Sequence, residues 1–170
     1  MKKSPLLVLP ILALLAGGCH DPNVPAASEP ETTAPKDQAQ VYVINRTAKG
    51  DQDPLVAQTV PLHKSLTPAK DAVEALLQSP DCPLAKGTAL RGITISSGVA
   101  TVDFSQSPVN ETGGEGKQSD ALASLSRTLG QFPDINQYQI EVQGKPMTSF
   151  GEQGTLTGPI DVVRAGIAKT

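Results

Sequence analysis

The chain has 170 residues, room for one domain of ordinary size but not for a second independent core. With no Trp, two Tyr and three Phe, its interior is expected to be built mainly from Val, Ile, Leu and Ala. A net charge of −3, more negative still once Lys2 and Lys3 are set aside, disfavours nonspecific attraction to nucleic acid, and two Cys with two His make a structural zinc site a poor expectation.

Residues 1–18 follow the grammar of a secretory signal. A basic start, Met1-Lys2-Lys3, precedes an apolar run from Leu6 to Leu15 and a small-residue exit, Ala16-Gly17-Gly18, before Cys19. The run is well short of the roughly twenty residues a membrane-spanning helix needs. Leu15-Ala16-Gly17-Gly18-Cys19 resembles the lipobox of bacterial lipoproteins, which implies that the Cys19 thiol takes a diacylglyceryl group and that cleavage leaves it as the first residue. The alternative is an ordinary signal peptide that happens to end at a cysteine. Residues 19–39 then form a Pro-, Ala-, Ser-, Glu- and Thr-rich stretch with Val24 its one large apolar residue before the domain, too polar to offset the entropy of ordering; a flexible tether is expected.

A single domain is expected over residues 40–166. Gln40 to Asn45 alternates apolar and polar residues, and after a loop the pattern resumes from Leu55 to Leu62, predicting an opening β-hairpin. Thr67-Pro68 supplies an N-cap and a first-turn proline for a helix whose apolar stripe is Ala69, Val73, Leu76 and Leu77, ending near Gln78 before Ser79-Pro80. Arg91–Ile95 and Val99–Phe104 flank Ser96-Ser97-Gly98 as a second hairpin. Ser105 to Lys117 is polar and Gly-rich, a loop; a second helix follows Gln118-Ser119, with Leu122, Leu125, Leu129 and Phe132 as its stripe and Gly130 and Pro133 at its end. Tyr138 to Val142 is a strand halted at Gly144, and Pro159 to Val163 a short final strand. The fold class is α+β, in the order β-β-α-β-β-α-β-(β): a two-layer sandwich with two helices packed on one face of a mixed sheet.

Gly98-Val99-Ala100-Thr101-Val102-Asp103-Phe104-Ser105 resembles the central strand of the GerMN domain, the sporulation and spore germination module. Val41-Tyr42, Leu76-Leu77-Gln78-Ser79-Pro80, Gly87-Thr88 with Leu90, Phe132-Pro133, and Val142 with Gly144 lie in the family's order, so the similarity covers about residues 40 to 165. It implies an envelope-facing module, usually lipid- or membrane-anchored, similar in fold to ring-building domains of secretion systems, and it supplies no catalytic residues. The chain departs from the pattern at Ser79, where Gly is common, and at Asp81-Cys82-Pro83, and it carries one such domain where the protein that gives the family its name has two.

Candidate chemistry is sparse. His63 and His20 are the available bases, and no Gly-x-Ser-x-Gly elbow accompanies them. Gly113 to Ser119 fails the phosphate-loop pattern, with Glu111 where the first Gly belongs and Gln118 where Ser or Thr should meet magnesium. Asp103, interrupting an apolar strand, is expected on the solvent face or in a loop-fixing hydrogen bond. Asp51-Gln52-Asp53 is too short for calcium. Asn45-Arg46-Thr47 and Asn110-Glu111-Thr112 match a glycosylation triplet that a bacterial leader makes coincidental. Cys82 is expected as a small half-buried residue, a reactive thiol or intermolecular disulfide being the alternatives.

The sequence therefore leads to a bacterial, non-enzymatic envelope lipoprotein on the extracytoplasmic side, held to the membrane through lipid on Cys19 and presenting its domain to another envelope protein or the cell wall. No catalytic, cofactor-binding or metal-ligating residues, no cofactor and no nucleic-acid partner are expected. The alternatives are a homo-oligomeric, ring-building envelope component, or a cell-wall hydrolase acting through acidic residues such as Asp103 and Glu111.

Overall fold

The computed structural model describes residues 37–63, 66–110, 114–150 and 154–164. The signal peptide, Cys19, His20, nearly all of the tether and Glu111 lie outside the described residues. The class is the expected α+β, with two helices and a mixed sheet.

β1 (Gln38–Ile44) and β2 (Leu55–Pro61) form an antiparallel hairpin in unbroken register, Val41 opposite Gln58 and Val43 opposite Val56. β1 starts two residues earlier than the alternation suggests, with Ala39 buried in line with Val41 and Val43. The hairpin does not join the larger sheet. Its outer β1 edge is closed by side chains of a helix, described below.

α1 (Pro68–Gln78) opens with proline at its first position and buries Ala69, Val73 and Leu76 as the spacing requires. Thr67 occupies the N-cap position, where its main-chain carbonyl accepts from the N–H of Lys70 at 2.9 Å. β3 (Leu90–Ser96) and β4 (Val99–Phe104) are joined by a two-residue turn in which both Ser97 and Gly98 have positive φ, as a tight hairpin demands. Gly98 is required for a second reason: a Cβ there would lie 2.8 Å from the Asn136 side chain, and the Gly98 carbonyl accepts from the N–H of Asn136 and Gln137.

α2 (Glu115–Gly130) begins earlier than expected, because Gly114 takes the N-cap position and Glu115 places a carboxylate in the first turn; Gln118 thereby falls inside the helix and is fully buried. Phe132 lies beyond the helix end. β5 (Gln137–Val142) runs parallel to β4, so β4-α2-β5 is a crossover unit, and β6 (Lys145–Pro146) and β7 (Ile160–Asp161) add short antiparallel pairs to β5.

Alternation on β4 buries Ala100, Val102 and Phe104; β5 adds Tyr138 and Ile140, and the helices add Val73, Leu76, Leu125 and Leu129. Aliphatics dominate, but the three largest fully buried side chains are Tyr138, Phe104 and Phe150, three of only five aromatics. The Tyr138 hydroxyl donates to the Leu122 carbonyl at 3.1 Å, tying β5 to α2.

Candidate functional site

The polar residues singled out in the sequence are dispersed. Asp103 is a structural residue: its Oδ2 accepts from Arg91 Nε at 2.9 Å and its Oδ1 from the Gly144 N–H at 3.0 Å. These contacts, the Gly144 bond foremost, hold its carboxyl below the usual range, and they fix the β5–β6 turn, where Gln143 has φ +53°. His63 is exposed just past β2, and no hydrogen bond or ion pair links it to another described residue. Asp53 belongs to an Asx-type turn, its Oδ1 accepting from the Leu55 N–H at 3.0 Å while its Oδ2 meets Arg127 Nη1 at 2.6 Å. The Arg127 guanidinium also lies 5.7 Å from the Tyr42 ring centroid, so the hairpin is clamped to α2. The Asn45 side chain accepts from the Thr47 N–H and hydroxyl, a local turn. Among the described residues no cluster of three or more His, Cys, Asp or Glu could hold a metal.

The structure brings together a group that sequence reasoning missed. A cavity of about 660 Å³ opens between the end of β1, the α1–β3 connection and the first turns of α2. Ile44, Cys82 and Leu84 supply its apolar wall, and Lys86, Lys117 and Asp120 its charges. Lys117 and Asp120 are three apart on α2 and therefore share a face, while Lys86 is delivered by a loop fastened through Ala85 N–H to the Pro108 carbonyl at 2.8 Å. Neither lysine forms an ion pair with a described residue. Burial, then the negative charge of Asp53, pushes the Asp120 carboxyl up. Burial likewise pushes the Cys82 thiol up against a smaller opposing hydrogen bond at Leu84, so the thiol stays protonated near neutral pH and is a weak nucleophile. Cys82 is a half-buried free thiol, a packing residue of the cavity wall.

A second missed feature is a polar row along α2 and its C-cap, Ser124, Thr128 and Gln131, which closes the outer edge of β1. Gln131 accepts from the Gln40 N–H at 2.8 Å and donates to the Gln40 carbonyl at 2.7 Å. Thr128 accepts from the Tyr42 N–H, Ser124 donates to the Tyr42 carbonyl, and the Asp81 carbonyl accepts from the Ile44 N–H at 2.9 Å. The turn at Asp81-Cys82-Pro83 thus extends the same edge, reinforced by an Arg46–Asp81 ion pair. Asp71, in the first turn of α1, is buried to 8 % exposure, and its Oδ2 has no hydrogen-bond partner among the described residues.

Two helices packed with a separate hairpin and a mixed sheet around one hydrophobic core define a small α+β module. The chain belongs to the Germane family, described as sporulation and spore germination, whose model matches residues 40–148. Its fold is similar to the first GerMN domain of the sporulation protein GerM from Bacillus subtilis, with 24% identity and a TM-score of 0.57 over 74% of this chain and 96% of that one. It is similar also to the tandem GerMN domains of the same protein, at 23% identity and a TM-score of 0.58 over 78% of this chain; the match spans half of that tandem chain. A crystal structure of a candidate lipoprotein from Clostridium perfringens is similar at 21% identity and a TM-score of 0.51, over 73% of this chain and 86% of that one. No curated protein matches the chain.

Proposed function

We propose that the protein is a non-enzymatic lipoprotein of the bacterial envelope, anchored by lipid on Cys19 and presenting its GerMN-type domain to another envelope protein or to the cell wall on the extracytoplasmic side. The observation that carries this reading is the order of parts: a basic, apolar and small-residue leader ends at Cys19, and the first strand does not begin until Gln38. The intervening stretch, treated as coil, reaches about 25 Å, enough to lift a small domain clear of the lipid surface. The proposed contact point is the cavity beside Cys82, where an apolar wall and a rim of Lys86, Lys117 and Asp120 suit a partner with both apolar and charged groups.

Fractionation of cells expressing the wild type and Cys19→Ser tests the anchor. The wild type is expected in the detergent-soluble membrane fraction with a diacylglyceryl mass increment on Cys19, and the variant in the soluble fraction. An unmodified Cys19 in the mature wild-type protein overturns the anchoring. Crosslinking in intact cells tests presentation: Lys117→Glu is expected to deplete the adducts formed by the wild type, and an unchanged adduct pattern removes the cavity as the contact point.

A further inference from the structure

The two edges of the opening hairpin are treated differently. On β1, the main-chain groups of Gln40, Tyr42 and Ile44 turn away from β2 and are met by Gln131, Thr128, Ser124 and Asp81. The antiparallel register puts Thr59 opposite Gln40 and Ala57 opposite Tyr42, so by strand alternation Ala57 and Thr59 turn their N–H and C=O groups outward from the other edge. No described residue bonds to those main-chain groups.

Folded proteins blunt such edges with charges, bulges or prolines. β2, Leu-Val-Ala-Gln-Thr-Val-Pro, has no charged residue, pairs with β1 without a bulge, and carries its proline only at the last position. Its Val56 is 45% exposed although it shares the face on which Val43 of β1 is buried, whereas Val60 at the other end of that face packs against the core. The edge of the larger sheet, β3, is by contrast interrupted by a register shift between Leu90 and Gly92 and carries Arg91.

We propose that β2 is a self-association edge, pairing antiparallel with β2 of a second copy of this chain across a two-fold axis at Gln58, so that two hairpins become one four-stranded sheet. The strand is self-complementary about that point. Ala57 meets Thr59 of the partner subunit, and the reciprocal pair repeats it, giving four main-chain hydrogen bonds. Val56 meets Val60 of the partner subunit, covering the exposed valine with an apolar neighbour. The seam holds no ionisable group, so two copies of an acidic chain meet there without like charges in register. The chain's own residues 20–36 suit the edge poorly: in either register two of Pro22, Pro25, Pro30 and Pro35 would stand where a ladder donor is needed. Because among the described residues each copy has one such uncharged, bulge-free edge, and its β1 edge is closed by α2 and the Asp81 carbonyl, the association is isologous and stops at two.

Sedimentation of the full chain in detergent, from low micromolar to submillimolar concentration, is expected to show a monomer–dimer equilibrium. Val56→Lys, which changes a side chain already exposed in the monomer, is expected to weaken the dimer at least tenfold, with a thermal midpoint unchanged at concentrations low enough for both proteins to be monomeric. Gln58→Cys offers a geometric check. The two-fold axis makes position 58 a non-hydrogen-bonded cross-strand pair, with Cα atoms about 4.5 Å apart and within disulfide reach. Mild oxidation should therefore give a covalent dimer that neither the wild type nor Gln52→Cys gives. Persistent monomer, growth beyond two copies, a dimer indifferent to Val56→Lys, or no covalent dimer from Gln58→Cys would each overturn the proposal.

Discussion

Two glycines of α2 show how the same substitution takes opposite signs. At Gly130 a Cβ would lie 2.3 Å from the Val163 carbonyl oxygen, because the segment from Ile160 to Arg164 is laid directly on the helix end: Ser126 donates to the Asp161 carbonyl, and Arg164 reaches the carbonyls of Gly130 and Ile135. At Gly116 nothing lies within 4 Å of the added atom. Gly130→Ala is expected to destabilise by about 1–3 kcal/mol through overpacking, and Gly116→Ala to stabilise by about 0.5–1 kcal/mol through helix propensity and a less flexible unfolded chain. Urea denaturation decides both; equal midpoints for the two variants would refute the close approach. Asp103 makes a prediction in pH. Its folded pKa is depressed below the unfolded value of about 3.9, so its stabilising effect is fully present above that value and fades as pH falls through the folded one. Asp103→Asn should therefore flatten the fall in thermal midpoint between about pH 5 and pH 2, and a slope identical to the wild type's would show the carboxylate to be idle.

At the scale of elements, the polar row on α2 does for β1 what another strand would ordinarily do. Ser124→Ala leaves the Tyr42 carbonyl without its hydroxyl donor, and Gln131→Leu leaves both main-chain groups of Gln40 unmet. Each should cost about 1–3 kcal/mol, the penalty for unsatisfied groups at a half-buried edge. Amide exchange should accelerate in β1 and β2 and not in β4 and β5; uniform acceleration would mean that the row supports the whole core. Strand β4 and the stripe of α1 were legible in the sequence because one periodicity decides them: Ala100, Val102 and Phe104 at period two, Ala69, Val73 and Leu76 at helical spacing. The start of α2 was not, because Gly114-Glu115-Gly116-Lys117 has the composition of a loop, and the first buried position of the helix is a polar residue, Gln118. Ser124, Thr128 and Gln131 do recur at helical spacing beside the apolar stripe, but a polar row looks the same whether it faces water or a strand edge. Alternation left Asp103 either on the solvent face or in a loop-fixing hydrogen bond, and its bonds to Arg91 and Gly144 decide for the second. The cavity was not legible, since Lys86, Lys117 and Asp120 meet only through the folding of a loop onto α2.

Taken as a whole molecule, the core extends beyond the segment that defines the family. The family match ends at residue 148, yet Phe150 is 1% exposed and among the largest fully buried side chains, and Leu156, Ile160 and Val162 pack against the same cluster. Burying one such aromatic contributes about 1.5–3 kcal/mol, against a net stability of roughly 5–15 kcal/mol for a domain of this size. The segment is also held by polar contacts: the Val162 N–H donates to the Asn136 carbonyl at 3.0 Å, the Val163 N–H to Ser126 at 2.9 Å, and Arg164 to the Ile135 carbonyl at 2.8 Å. Removing everything after residue 148 would leave the Asn136 and Ile135 carbonyls and the Ser126 hydroxyl without these partners, and would open the core beside Tyr138 and Ile140. A fragment of residues 37–148 is therefore expected to lack a cooperative urea transition, whereas residues 37–164 should unfold in one step at the midpoint of the full chain. A shared midpoint for the two fragments would show that the C-terminal segment rides on a core already complete without it, and would move the functional boundary of the domain back to residue 148.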